Sequence, residues 1–307
     1  MAIRYLLITL CMLGSIAAKA QPDDKFFELP LIPDSVSTLQ KRCDFMVTHY
    51  WDFCDTKKAF SARDKMAQAF DVYLSFMPYS SADVTRESIG AFMKRIEKQP
   101  ADILFIGELA ESKLYSDTAT IPSDQLYLWF IEPIVKNKRV DRSAKMRFEH
   151  QASILARSQT GMAAPEFSFT DSKGTPGTWT PDTTAMATIL FFNDPDCSEC
   201  KMARLRLSLD IKTNRLIEAG VVKIISITPG DPDEEWLEAV SGYPANWTVG
   251  ASPSVDEVYD LRATPSIYVL DDKGTILLKN TTPEVILNIM SQLRVPKIKE
   301  PRPGAES

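Results

Sequence analysis

Histidine and cysteine are both scarce in this chain of 307 residues, which contains two histidines and five cysteines. The histidines are His49 and His150, and neither follows the later cysteines, Cys197 and Cys200. Structural zinc sites in proteins use four ligands, most of them cysteine or histidine. The scarcity of further ligands near the later cysteines argues against a zinc site, and we expect no bound metal.

Positive charge and long apolar runs are also limited. The formal net charge is −6 and the sequence pI is about 5.2, which argues against nucleic acid and anionic membrane surfaces as partners. Beyond residue 20, no apolar stretch is long enough to span a membrane. The composition, 44% hydrophobic and 25% charged, is that of a globular protein, and the length allows two domains.

The first residues have the pattern of a secretory signal peptide. Arg4 precedes an apolar run from Tyr5 to Ala18, and Ala18-Lys19-Ala20 matches the small-residue pattern of a cleavage site. We therefore expect residues 1–20 to be removed and the mature protein to be exported, to a bacterial periplasm or a similar compartment. No membrane span is expected after cleavage.

Residues 21–160 are rich in helical periodicity and poor in strand signals, which predicts an all-α domain. Ser35 is a candidate cap for the first helix. The predicted helices cover residues 36–54, 62–76, 82–97, 101–114, 123–136 and 141–157.

Cys43 and Cys54 both fall in the first predicted helix. On one continuous helix they would lie roughly 16 Å apart along the axis. A disulfide needs Cα atoms about 4.4–6.8 Å apart. We expect both cysteines to be buried and unpaired with each other, although a second redox pair is the alternative. His49 and His150 are expected to be packing or surface residues.

A second pattern is built around two cysteines spaced C-x-x-C. An apolar run, residues 186–192, ends in a polar turn that leads to Cys197-Ser198-Glu199-Cys200 and then to a helical pattern. This predicts a strand, a loop and a helix with Cys197 at its N-terminus, where the helix dipole stabilises a thiolate. Cys200, one helical turn later, is close enough to form a disulfide with Cys197. The pair can be a redox dithiol, a structural disulfide or, with further ligands, part of a zinc site.

The residues around this motif alternate between strand and helix signals, which predicts an α/β domain over residues 161–296. The tail, residues 297–307, is proline-rich and charged and is expected to be disordered. The predicted elements are an entering strand at 164–169, a helix at 203–219, a buried strand at 221–227, a short helix at 233–240, a hairpin of 267–270 with 275–278, and a closing helix at 283–293.

Three features together resemble a known family. The C-x-x-C pair, Thr264-Pro265 just before a strand, and a hairpin turn with Gly274 are similar to the thioredoxin-like domains of the TlpA type. The resemblance implies a central mixed sheet flanked by helices. It also implies that Pro265 is a cis-proline beside the dithiol and that the backbone of Thr264 binds substrate chains. The preceding region is similar to a helical domain of unknown function that occurs before thioredoxin-like domains.

The sequence departs from the family pattern at three positions. Asp196 replaces the tryptophan usual before the first cysteine, Phe191 replaces a buried aspartate, and Ala203 replaces a glutamate found in some TlpA-type reductases. The usual proton-transfer carboxylates are therefore absent. Candidates to replace them, or to modulate the pKa of the dithiol, are three acids of the motif that are otherwise solvated loop residues: Asp194, Asp196 and Glu199.

The resemblance and the motif together predict an exported thiol–disulfide oxidoreductase without an organic cofactor. Cys197 would attack a substrate disulfide, and Cys200 would resolve the mixed disulfide. Because negative charge near a thiol favours the protonated form, we expect a reductant. The expected partners are envelope proteins with disulfides or thiols and an unidentified electron donor or acceptor.

Two alternatives stay open. One is a non-catalytic binding protein whose Cys197–Cys200 disulfide is structural. The other is a thiol peroxidase, which Asp194 argues against because peroxidases carry threonine or serine three residues before the reactive cysteine.

Overall fold

The computed structural model describes residues 26–181 and 184–294. The predicted signal peptide, residues 1–20, and the predicted tail, residues 297–307, lie outside the described residues. The chain forms two compact units that divide between residues 145 and 146. The domain limits predicted from sequence, 21–160 and 161–296, stay predictions.

The described part of the first unit is helical and contains no strand, which confirms the all-α prediction. A 3₁₀ turn, Met77–Tyr79, follows α3, and a π-helical turn, Glu111–Tyr115, continues α5. The helices of this unit are α1 (Leu39–His49), α2 (Thr56–Ser61), α3 (Arg63–Phe76), α4 (Ala82–Ile96), α5 (Pro100–Ala110) and α6 (Asp124–Lys136). The next helix, α7 (Arg142–Leu155), crosses the division between the two units.

The first helix is shorter than predicted at both ends. Its N-cap is Thr38 and not Ser35, because the Thr38 hydroxyl accepts a hydrogen bond from the Lys41 amide. The helix ends at His49, and Asp55 caps a separate helix, α2, which the sequence analysis missed. Cys54 therefore lies in the connecting loop, and the prediction of one continuous helix over residues 36–54 was wrong.

Aromatic side chains form the centre of the first unit. Trp51 stacks on Phe92 with ring centroids 4.4 Å apart, and Tyr73 packs against the edge of the same Trp51 ring. The buried hydroxyl of Tyr73 lies 2.7 Å from Ser88 Oγ, so its polar end is satisfied. The unit thus has a core of its own.

The second unit contains a seven-stranded mixed sheet in the order β2-β1-β5-β4-β3-β6-β7. β3 is parallel to β4 and antiparallel to β6, and helices flank the sheet, as predicted. The strands are β1 (Phe167–Asp171), β2 (Pro176–Trp179), β3 (Ala187–Phe192), β4 (Val222–Pro229), β5 (Thr248–Ser252), β6 (Ser266–Asp271) and β7 (Ile276–Leu278). The helices are α8 (Ser198–Leu209), α9 (Ile211–Glu218), α10 (Glu234–Val240) and α11 (Pro283–Gln292).

β3 is buried along its whole length because both faces of the sheet are covered. Phe191 packs on one face with Leu207 and Ile286 of the helices. Phe192 packs on the other face with Tyr259 and other aromatic side chains. The strand is therefore a fixed support for the loop that follows it.

Three elements of this unit differ from the sequence prediction. The single helix predicted over residues 203–219 is two helices, because the Asp210 carboxylate accepts the Thr213 amide and starts a new helix. Strands β2 and β5 were not predicted. β5 pairs with β1 at Gly250, where an added Cβ would lie 2.5 Å from the Phe169 ring.

Candidate active site

The register of β3 and β6 brings two distant sequence motifs to one edge of the sheet. Phe192, the last residue of β3, lies opposite Ser266, the first residue of β6. Cys197 follows β3 and Pro265 precedes β6, so both lie beyond this edge. The Thr264–Pro265 peptide bond is cis, as the resemblance implied. The main-chain oxygen of Thr264 is 3.9 Å from the sulfur of Cys197.

Cys197 is the N-cap of α8, which confirms the predicted placement at a helix N-terminus. Its sulfur accepts a hydrogen bond from the Cys200 amide at 3.2 Å, and its own amide donates to the Asp194 carbonyl at 3.2 Å. One free amide of the first helical turn, that of Cys200, is therefore directed at the sulfur, where it stabilises negative charge. Cys197 is half-buried and free, so a substrate can reach it.

Cys200 is free and only 2% exposed. Burial raises the pKa of Cys200 to about 12, and its hydrogen bond with Cys197 acts in the same direction. A main-chain hydrogen bond with Asp194 opposes this rise in pKa. Cys197 thus has the accessibility that an attacking cysteine needs, and Cys200 has the burial that is typical of a resolving cysteine.

The three acids of the motif have different surroundings. The Glu199 carboxylate accepts hydrogen bonds from Ser198 Oγ at 2.8 Å and from the Cys197 thiol at 3.7 Å. The Ser198 hydrogen bond is the main reason that the pKa of Glu199 is lowered. Asp194 accepts the Asp196 amide at 2.8 Å, and the exposed Asp196 carboxylate lies 4.0 Å from Lys201 Nζ. Glu199 is therefore the acid of this set whose carboxylate contacts Cys197.

The two other positions that depart from the family pattern are part of the core. Phe191 is fully buried and Ala203 is 4% exposed, and both belong to one apolar cluster. Neither position offers the dithiol a carboxylate. The proton-transfer roles of the motif acids stay predictions.

Sequence reasoning missed two polar residues beside the motif, the buried Asn193 and the half-buried Tyr243. Asn193, 2% exposed, directly follows β3, and its side-chain oxygen accepts a hydrogen bond from the Tyr243 hydroxyl at 2.8 Å. A polar residue at the end of a fully buried strand was the available signal for Asn193. Tyr243 gave no signal, because nothing local in the sequence connects it to the motif.

A buried ion cluster holds the loop that leads to Thr264. The Asp260 carboxylate, with no exposed side-chain area, pairs with Lys279 Nζ at 3.1 Å and with the Arg262 guanidinium. Burial alone would raise the pKa of Asp260, but Lys279 and Arg262 outweigh it and lower that pKa. The Tyr268 hydroxyl also hydrogen-bonds the main chain of Asp260. The loop is therefore anchored just before the cis-proline.

The cysteines of the first unit are not bonded to each other. Cys43 is buried, whereas Cys54 is half-buried, so the prediction that both are buried was wrong for Cys54. Cys54 is partly accessible because it lies in the loop after α1. Burial raises the pKa of Cys43, and it raises the pKa of Cys54 to about 11, so both are weak nucleophiles at neutral pH.

Among residues 26–181 and 184–294, no three histidine, cysteine or acidic side chains are grouped so as to hold a metal ion. His49 pairs with Asp52 at 2.8 Å, and its ring packs at a tilt against Phe45. Over the same part of the chain, no helix is both long enough and apolar enough to cross a membrane.

Comparison with known proteins agrees with this architecture. Residues 13–158 match the family model described as Domain of unknown function (DUF5106). A thioredoxin-like protein from Bacteroides caccae is 24% identical over 87% of this chain and 98% of its own, with a TM-score of 0.73. The chain therefore has a thioredoxin-like fold preceded by a helical region.

Two further solved structures are similar to parts of the chain. A conserved protein of unknown function from Bacteroides fragilis is 31% identical over 43% of this chain and 99% of its own, with a TM-score of 0.41. The thioredoxin domain of a thiol-disulfide oxidoreductase from Bacteroides vulgatus is 21% identical over 44% of this chain and 97% of its own, with a TM-score of 0.38. No curated protein matches the chain.

Proposed function

We propose that the second unit is a thiol–disulfide oxidoreductase that uses Cys197 and Cys200. The observation that carries the proposal is the asymmetry of the two thiols. Cys197 is accessible and accepts a main-chain amide at a helix N-terminus, whereas Cys200 is buried one turn later. A structural disulfide needs neither an accessible sulfur nor a helix cap directed at it.

The reaction would transfer two electrons in two steps. The Cys197 thiolate attacks one sulfur of a substrate disulfide, so a mixed disulfide forms and the other substrate sulfur leaves as a thiolate. The Cys200 thiolate then attacks the Cys197 sulfur, so the Cys197–Cys200 disulfide forms and the second substrate sulfur leaves. The dithiol is oxidised, the substrate disulfide is reduced, and the two departing sulfurs take up the protons that the cysteines release to solvent.

Thr264 and Pro265 would bind the substrate chain. The Thr264 carbonyl lies beside the Cys197 sulfur, so an extended chain aligned with Thr264 would bring its disulfide to Cys197. The proposed substrates are envelope proteins with disulfides, because the first 20 residues have the pattern of an export signal. A separate electron donor would reduce the Cys197–Cys200 disulfide again after each turnover.

We propose further that the dithiol acts as a reductant. Glu199 accepts a hydrogen bond from the Cys197 thiol at 3.7 Å, so its negative charge lies beside the sulfur that attacks the substrate. Strong oxidants depend on a well-stabilised thiolate in the reduced form. The contact with Glu199 acts in the opposite direction.

Equilibration of the purified chain with glutathione redox buffers tests both parts of the proposal. We expect the Cys197 and Cys200 thiols to be lost together in a two-electron transition, with a potential near that of thioredoxin, about −270 mV. A potential near about −120 mV would contradict the reductant role. A reduction potential below about −300 mV would indicate a structural disulfide and would contradict the oxidoreductase proposal itself.

A further inference from the structure

A partly buried polar network lies next to the dithiol loop and has no part in the reaction described above. The Tyr243 hydroxyl donates to Asn193 Oδ1 at 2.8 Å, and Asn193 Nδ2 donates to Ser226 Oγ at 2.7 Å. The Arg204 guanidinium carbon lies 3.9 Å from the centre of the Tyr243 ring. Ser226 and Asn193 are almost completely buried, at 1% and 2% exposed. Polar groups in such a place are costly unless they are fully hydrogen-bonded.

Both the main-chain amide and the side-chain amide of Asn193 are hydrogen-bonded, to the sheet and to this network. Its amide donates to the Ile227 carbonyl at 3.0 Å, and its Nδ2 also donates to the Phe191 carbonyl at 3.1 Å. Tyr243 supplies the hydrogen bond to the remaining side-chain oxygen. The position of Asn193 therefore depends on a residue that lies outside β3 and outside the motif.

Asn193 immediately precedes the loop that contacts both cysteines. The Asp194 carbonyl accepts the Cys197 amide at 3.2 Å, and the Asp194 main chain hydrogen-bonds Cys200. The Asp194 contact is the one that lowers the pKa of Cys200, against the effect of burial. A small displacement of Asp194 would weaken this hydrogen bond.

Tyr243 also interacts electrostatically with the buried thiol of Cys200. Burial is the main cause that raises the pKa of Tyr243 to about 12; Arg204 lowers it, and negative charge on Cys200 and Asp194 raises it. An interaction between two charges acts on both partners, so the surroundings of Tyr243 also act on a charge at Cys200.

We propose that Tyr243 is a positioning residue for the resolving step. Its hydroxyl fixes Asn193, and Asn193 fixes Asp194 where the main chain of Asp194 stabilises negative charge on Cys200. The inference depends on the proposed oxidoreductase function. In the resolving step Cys200 loses its proton to solvent, attacks the Cys197 sulfur and displaces the substrate sulfur as a thiolate; Tyr243 keeps its own proton throughout.

The test uses the reduced full chain and dithiobis(nitrobenzoate), an aromatic disulfide that releases a coloured thiolate. Attack by Cys197 releases the first thiolate, and attack by Cys200 on the mixed disulfide releases the second. The variant with both cysteines replaced by alanine gives the background from other thiols. Cys200→Ser should show the first phase alone, which assigns the two phases.

The Tyr243→Phe variant removes the hydroxyl and keeps the ring that Arg204 contacts. We expect the first phase to keep its rate and the second to slow about five-fold, the rate equivalent of one neutral hydrogen bond. The midpoint of the pH profile of the second phase should move to higher pH, because the Cys200 thiolate loses a stabilising contact. The matched control is Tyr259→Phe, which removes a hydroxyl that donates to the Pro165 carbonyl at 2.6 Å in the same unit.

Three results would overturn the inference. The first is a second phase with unchanged rate and pH midpoint in Tyr243→Phe. The second is an equal slowing of both phases, or the same change in Tyr259→Phe, since either would indicate general loosening of the unit. The third is the absence of both phases from the wild-type chain, and only this result would also overturn the proposed function.

Discussion

The sulfur of Cys197 lies 3.9 Å from the main-chain oxygen of Thr264, although the two residues are 67 positions apart in the sequence. The contact exists because β3 ends and β6 begins at the same edge of the sheet. It places a backbone hydrogen-bonding group directly beside the accessible thiol. Under the proposed function, a substrate chain that aligned its backbone with Thr264 would also be aligned with the attacking sulfur of Cys197.

The first prediction concerns the roles of the two cysteines. Because Cys197 is accessible and Cys200 is buried, Cys200→Ser should accumulate mixed disulfides through Cys197. The reciprocal variant Cys197→Ser should accumulate none. Mass spectrometry of the trapped species identifies the cysteine involved. Faster alkylation of Cys200 than of Cys197 in the reduced protein would reverse the assignment.

A second prediction concerns the carboxylate beside Cys197. Glu199→Gln removes a negative charge that accepts a hydrogen bond from the thiol, so alkylation of Cys197 at neutral pH should become about two-fold faster. The effect should diminish at high salt, because the carboxylate is exposed. Asp196→Asn is the matched control, since its carboxylate faces Lys201 and should leave the alkylation rate unchanged. Equal rates for Glu199→Gln and the wild type would show that Glu199 does not modulate the thiol.

A third prediction concerns the buried ion cluster before the cis-proline. Asp260→Asn leaves Lys279 and Arg262 without this carboxylate and should lower the free energy of unfolding by about 3 kcal/mol at neutral pH. The exposed Asp256→Asn should have little effect on unfolding by urea.

The pH dependence of this effect has a definite sign. The pKa of Asp260 is lower in the folded protein than its ordinary value of about 3.9. Its contribution to stability is therefore fully present above about pH 4 and is lost as the pH falls through the folded value. The difference between wild type and Asp260→Asn should narrow below about pH 4, and a constant difference would contradict the assignment.

A fourth prediction concerns the pairing of β1 with β5. In Gly250→Ala the new Cβ would lie 2.5 Å from the Phe169 ring and 2.9 Å from the Thr170 carbonyl, so the strands must separate. We expect a loss of about 2 kcal/mol in the free energy of unfolding. Gly242→Ala, whose Cβ would meet no atom within 4 Å, should stay within about 0.5 kcal/mol of wild type. Equal stability of the two variants would contradict this packing.

The elements that could be predicted from sequence are those whose signals are local. β3 is a continuous apolar run because both of its faces are buried. The β6–β7 hairpin was visible because Gly274 has φ 75°, which favours glycine, and Asp271 accepts the amides of Lys273 and Thr275 within the turn. The placement of Cys197 at a helix start also follows from adjacent residues.

The elements that could not be predicted depend on contacts between distant residues. Strand β5 is short and contains Gly250, and its identity as a strand comes from pairing with β1 and β4. The hydrogen bond of Tyr243 to Asn193 joins residues 50 positions apart. The helix break at Asp210 is local, but an aspartate within a helical pattern is not by itself a sufficient signal.

The central claim is that Cys197 and Cys200 form a working reductant, and reduction of insulin disulfides tests it most directly. The purified full chain, supplied with dithiothreitol, should accelerate the precipitation of the insulin B chain well above the rate with dithiothreitol alone. The Cys197→Ala variant should fall to that background rate, while Asp196→Asn should retain the wild-type rate. A wild-type rate equal to that of Cys197→Ala would contradict the account.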